Sequence, residues 1–284
     1  MAKKIYRGYF RGGDREDPAD DRDYGYATNP VAKVKLASAS GRLPRVDWSP
    51  KMSPVKWQGY LGSCVGFAAC AMKECQELIE HEREVADGKK YKRDEKEYNL
   101  SEQWVYWNCK KIDPWPGEEG TNIRSAMKVL NKIGVPTEDA WPYTDDPVNI
   151  GEPKGWAHLV ARWYTIGSYW RVRDLNELRL ALQDGPVVIG IPCFDEIFDP
   201  GPSGFIPLPA DTSSNSGWHA VCAVGMNDRY KLIKFKNSWS IFWGERGYGY
   251  LPYAYINNFL GDSWAARDIS VTTEMLRGSR SLVD

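Results

Sequence analysis

Residues 58–70 read QGYLGSCVGFAAC, with a cysteine at position 64. Small residues crowd Cys64, and a helical pattern starts behind it: Phe67, Ala68, Cys75, Leu78 and Ile79 fall near one face. A thiol at the mouth of a helix sits where the helix dipole favours its thiolate. Gly62 and Ser63 allow the backbone to approach a ligand closely. The same helix end offers a backbone N–H to an oxyanion, and the Gln58 carboxamide, six residues upstream, supplies a second donor. The stretch predicts a nucleophile set into a helix start, in need of a base from elsewhere.

Only three histidines are available. His81 lies in a mixed-charge run, HEREVADGKKYKRDEKEYN, and is expected to face solvent. His158 follows GEPKGWA and is expected in a loop. His219 opens an apolar, strand-like run after SSNSGW, where a side chain can project from a strand end into a groove. Eighteen residues on, Asn237 stands in FKNSWSIFWGERGYGY. A strand, a turn and a second strand would return Asn237 to His219, where an amide oxygen would accept the imidazole N–H and fix its tautomer.

The rest of the chain bounds the fold. It has 284 residues, enough for one large domain or two lobes sharing a core, and a formal net charge of −1. Near-neutrality gives no basis for non-specific nucleic-acid binding or a polybasic membrane role. Thirteen tryptophans and sixteen tyrosines suit thick packing. Residues 1–45 are polar and broken by Gly and Pro, and read as an arm. Ser101 is expected to cap a helix, Gly134 with Pro136 beyond it to end one, and Asp174 with Glu177 to form a capping box. From Pro186 the runs PVVIGI, HAVCAVG, YKLIKFKN and GYGYLP are short and β-branched or aromatic. The expected class is α+β in two lobes, mainly helical over about 46–150 and mainly strand over about 151–265, with a tail at 266–284.

Read together, these stretches resemble a papain-family cysteine peptidase, of a bacterial type with a short leader. The resemblance rests on V46-D-W48, P54-V-K-W-Q-G59, G62-S-C64, L100-S-E-Q103, G217-W-H-A220 and K236-N-S-W239 followed by W243-G-E, in that order. It implies a helical first lobe, an antiparallel, barrel-like second lobe with the active site in the cleft between them, and peptide-bond hydrolysis, as an endopeptidase, through a thioester. Coupling to an amine by the same residues, or a non-catalytic binding module, are the alternatives. Cys64 matches the nucleophile, His219 the general acid/base, Asn237 the orienting residue and Gln58 the oxyanion donor. Trp239 matches the tryptophan covering the Asn–His bond, with Ser63 in support. Gly120, in EEGTN, falls near the glycine segment that pairs with substrate backbone, and Gly62 and Trp218 are further candidates for substrate contact. Trp218 with Tyr253–Tyr255 is expected to line the pocket for the second residue before the cut. A depressed Cys64 pKa and a raised His219 pKa are expected. The chemistry needs no cofactor and no metal.

Three departures stand out. Leu61 replaces a disulfide-forming cysteine, and EEGTN lacks its partner. Val65 and Ser240 also differ from the usual residues. The six cysteines form no CxxC pair, and Cys70, Cys75 and Cys222 read as small buried hydrophobes, in a reducing and by default cytoplasmic setting; no secretory or membrane-spanning segment is visible. Non-classical secretion is left open. Expected partners are a peptide or protein substrate and, in the cleft, a protein inhibitor or the chain's own arm. The arm, RDYGYATNP above all, is expected to lie across or beside the cleft and restrain activity, or to be a strap on the second lobe.

Overall fold

The computed structural model describes residues 12–28, 41–88 and 98–268. Of the expected tail at 266–284, residues 266–268 belong to the last strand of the sheet and 269–284 lie outside the described residues, as does the middle of the charged run, 89–97. The first lobe is built on α1 (Cys64–Ala86), α2 (Glu102–Lys110) and α3 (Ile123–Lys132). Gly66, Ala68, Ala69 and Ala71 make the start of α1 thin. A Cβ on Gly66 would already sit 3.0 Å from the Glu102 carbonyl, so α1 and α2 pack nearly backbone to backbone. Ser101 caps α2 by accepting the Trp104 N–H at 3.1 Å. Gly134, with φ +74°, ends α3 by donating to the Val129 carbonyl.

The second half carries short helices α4 (Ala157–Ala161), α5 (Leu175–Ala181) and α6 (Tyr253–Phe259) around one antiparallel sheet. Its strands are β1 (Val46–Asp47), β2 (Ile166–Arg171), β3 (Val187–Pro192), β4 (Trp218–Asn227), β5 (Leu232–Lys236), β6 (Tyr248–Pro252) and β7 (Ser263–Asp268). Their order is β2-β7-β3-β4-β5-β6, with β1 on β4. The class is therefore α+β in two lobes, as read from the sequence. At the head of α5, Asp174 accepts the Glu177 N–H at 2.8 Å, but the Glu177 carboxylate reaches Arg173 N–H instead of closing the expected box.

Two apolar cores form. One joins α1–α3 to the inner face of the sheet through Cys222, Val224 and Trp264; the other fills the β lobe. All six cysteines are free and buried, including Cys70, Cys75 and Cys222 as expected; Cys64, Cys109 and Cys193 are buried too. Two histidines sit elsewhere than expected. His81 is buried against Tyr98, because α1 runs on to Ala86 and carries it over the lobe. His158 lies in α4 with its ring against the edge of Trp104, 4.7 Å between centroids. Among the described residues no helix is long and apolar enough to cross a membrane.

Candidate active site

Antiparallel pairing of β4 with β5 sets Cys222 opposite Lys236, which returns the residue after β5 to the start of β4. His219 Nε2 thereby lies 2.7 Å from Asn237 Oδ1. An oxygen there requires Nε2 to carry the hydrogen, leaving Nδ1 as the basic atom; Nδ1 has no hydrogen-bond partner. The Trp239 indole lies flat on the imidazole, 4.3 Å between centroids and 19° from parallel. It covers the His–Asn bond and excludes water from it. Ser238 N–H donates to the same Asn237 Oδ1 at 2.8 Å.

Cys64 opens α1, and its sulfur lies 3.4 Å from the N of Ala220, the residue after His219. Residues 155 positions apart, Cys64 and His219, thus meet at the lobe junction. Gln58 is wholly buried and tightly held. Its Oε1 accepts Ser238 Oγ–H at 2.6 Å, its Nε2 donates to the Leu61 carbonyl at 2.9 Å, and its backbone N–H bonds Ser238 O. Ser63 does not cap α1. Its hydroxyl meets Tyr143 Oη at 2.6 Å, and Tyr143 donates to the Gln58 carbonyl at 2.7 Å. Sequence reasoning missed Tyr143, which carries no local signal, and Ser238, which lies inside the quoted KNSW stretch.

The cleft is occupied by the chain itself. Gly13 and Asp14 N–H groups both point to the Trp218 carbonyl, at 3.0 and 3.2 Å. From the other wall Thr121 N–H donates to Gly13 O at 2.9 Å, and Arg15 N–H donates to Thr121 O at 3.0 Å. The strip is a short β-bridge between the lobes, parallel to Thr121 and antiparallel to Trp218. Gly12 and Gly13 are required by contact: a Cβ on Gly12 would overlap the Trp218 carbonyl, and one on Gly13 the backbone of Gly62. Gly62 and Trp218 therefore line the space that the strip fills. Gly120 lies under the strip, where a Cβ would come 2.6 Å from Gly13 O, but Thr121 makes the backbone pairs.

The cleft segment is GGDR, not the expected RDYGYATNP. Of the latter, Arg22–Thr28 is described and runs over the β lobe; Asn29 and Pro30 lie outside the described residues. Gly25 bridges Arg171, and Tyr26 enters the second core with its hydroxyl 3.0 Å from Asp184 Oδ2. A pocket of about 400 Å³ opens beside Trp218, walled by Asp14, Arg171, Val172, Leu260, Gly261 and Asp262. Tyr253 and Tyr255 do not reach it. Tyr253 bonds Asp228 and Tyr255 bonds the Pro192 carbonyl, because α6 turns both rings into the lobe. Val65 is likewise buried rather than part of the cleft wall.

The electrostatics reverse the expected shifts while the strip is in place. Burial pushes the Cys64 thiol up to about 12, and the Asp14 carboxyl adds to this; N–H groups of Ala220, Val65 and Gly13 oppose it. Burial also holds the His219 imidazole down to about 4, against the pull of Asn237. Both shifts favour the uncharged forms, thiol and imidazole. Both charged forms lack water under the arm, and this desolvation outweighs the helix dipole.

The matching region is broad. Residues 43–259 correspond to the domain described as papain family cysteine protease. An uncharacterized peptidase C1-like protein of Acanthamoeba polyphaga mimivirus is 29% identical over 229 residues, 75% of this chain and 69% of its own. The viral cathepsin of Spodoptera litura multicapsid nucleopolyhedrovirus is 32% identical over 222 residues, 76% of this chain and 59% of its own; the alignment thus spans about three fifths of that relative. Among solved structures, xylellain, a cysteine protease from Xylella fastidiosa, superposes with a TM-score of 0.72 at 29% identity, covering 91% of this chain and 96% of the other.

Proposed function

The chain belongs to the papain family of cysteine proteases, and from that premise we propose that it hydrolyses internal peptide bonds through a thioester on Cys64, and that residues 12–15 restrain this activity by lying in the cleft. The observation that carries the reading is the His219–Asn237 contact of 2.7 Å, roofed by Trp239, with the Cys64 sulfur beside Ala220.

Once the strip leaves, water and substrate dipoles reach the pair, and proton transfer from sulfur to imidazole becomes favourable. The thiolate attacks the scissile carbonyl. Gln58, fixed from both sides of its amide, and the Cys64 N–H stabilise the oxyanion. His219 then protonates the leaving amine and activates water against the thioester.

Purified Cys64→Ala is expected to fold and to show no cleavage of a terminally blocked peptide. Wild-type rates in that variant would end the assignment. Gln58→Ala is expected to lose about 10²–10³ in kcat while remaining folded, as oxyanion donors do. Adding an amine nucleophile separates hydrolysis from coupling, since only coupling yields the amide product.

A further inference from the structure

The arm does more than block: Arg15 is held by a site that the roles assigned above do not use. Its Nε and Nη2 both donate to the Glu119 carbonyl, at 3.0 and 2.7 Å. Its Nη1 pairs with Glu118 Oε2 at 2.9 Å. Its guanidinium carbon stands 5.2 Å from the centroid of the Trp115 ring. Its backbone N–H is the one that bonds Thr121 O. A planar donor fork, a carbonyl between its teeth, a carboxylate at its tip and an aromatic face beside it are the elements by which proteins select guanidinium over ammonium. The loop of residues 115–119 is further tied to the nucleophile segment, because Glu119 Oε1 accepts the Gly62 N–H at 2.7 Å.

We propose that Trp115, Glu118 and the Glu119 carbonyl form an arginine-selective subsite of the cleft, filled by Arg15 in the resting chain and by an arginine of the peptide substrate when the arm is displaced. The inference rests on the peptidase reading. The substrate class it names is peptides with an arginine placed beside Thr121, a few residues from the cut. The same contacts make Arg15 a competitive occupant, so substrates rich in arginine open the cleft by replacing it. Lysine fits less well. One ammonium cannot span the Glu119 carbonyl and the Glu118 carboxylate as the fork does.

The test uses the full-length protein and a set of blocked peptides that differ at one position at a time, with arginine, lysine, citrulline or norleucine. At one position arginine is expected to exceed citrulline in kcat/KM by about tenfold, the combined effect of a partly exposed ion pair and a cation–π contact. Glu118→Gln, a near-isosteric and exposed change, is expected to bring that ratio most of the way to one, and Trp115→Phe to reduce it in part. Arg15→Ala is expected to raise the rate on every peptide without altering the ratio. Cleavage of the set with no arginine preference at any position, or a preference untouched by Glu118→Gln, overturns the subsite and leaves the peptidase reading standing. Cleavage of none of them, by wild type or Arg15→Ala, counts against the peptidase reading itself.

Discussion

The two described parts of the arm are held in different ways. Gly12–Arg15 crosses the cleft with almost no side chain, through four backbone hydrogen bonds and the Arg15 fork. Asp23–Thr28 is fixed to both lobes. Tyr26 is buried in the β-lobe core, and Asp23 pairs with Arg124 of α3 at 2.6 Å and with Arg171 of β2 at 3.2 Å. Asp17, between them, is fully engaged: it receives Arg124 N–H, Trp264 Nε1–H at 2.7 Å and the Arg171 guanidinium, while its own N–H reaches Asp262. A strip bound by backbone exchanges its hydrogen bonds with water at small net cost, whereas a buried aromatic and paired charges do not. The difference teaches that the cleft can open while the arm stays attached, with the anchor beginning at Asp17.

Among changes to the arm, the largest expected effect on activity comes from Gly13→Val. Its side chain has no room over Gly62, so the strip is expelled. If the open form is under about a tenth of the resting population, peptide cleavage rises by roughly tenfold or more. Unfolding by denaturant should barely change. A Gly13→Val protein that cleaves no faster than wild type would mean that the strip does not limit access.

Tyr26→Ala acts on the other part. It is expected to cost about 3 kcal/mol of stability, as removal of a core aromatic does, seen as a lower denaturation midpoint. Its effect on cleavage should be far smaller than that of Gly13→Val. Equal release by both variants would show the arm to be a single hinged body, and the comparison would fail.

The smallest effect is on pH. Asp14 is buried in the cleft, and burial, then repulsion from Asp17, raises its pKa well above the ordinary 3.8. It also faces Cys64 and the pocket wall with Asp262 and Arg171. A carboxyl raised in the docked state favours docking fully below its free pKa, and that contribution is lost as pH rises through the docked value. The strip should therefore loosen as pH rises through the docked Asp14 pKa, which lies above the ordinary carboxylate range. Hydrogen exchange at the Gly13, Asp14 and Arg15 amides, corrected for intrinsic rates, is expected to show this in wild type and not in Asp14→Asn. The same slope in both would assign the effect to another group.

Much of the site was legible because its chemistry sits on element ends. Cys64 follows a glycine–serine turn into an apolar helix, and His219 and Asn237 bracket one hairpin, so spacing and strand alternation sufficed. The capping residues Ser101 and Asp174 were legible for the same reason. The arm was not, because its position depends on the groove's floor rather than on its own pattern. Gly12–Gly13 has no periodicity, and its fit depends on Trp218, Gly62 and Thr121, which are remote in sequence. The shifts at Cys64 and His219 went the other way for that reason: the helix end argued for a thiolate, and the lid of residues that removes its water was invisible. Tyr253 and Tyr255 were misread because an aromatic near the cleft in sequence can still be turned inward by a short helix.

The central claim is that Cys64 is the one nucleophilic thiol and that Gly12–Arg15 keeps it covered. Site-resolved alkylation of the six cysteines, by mass spectrometry, compares wild type with Gly13→Val at neutral pH. The account predicts slow labelling everywhere in wild type, and in the variant a labelling of Cys64 alone, faster by about tenfold or more. Labelling of another cysteine ahead of Cys64, or an identical Cys64 rate in both proteins, would contradict it.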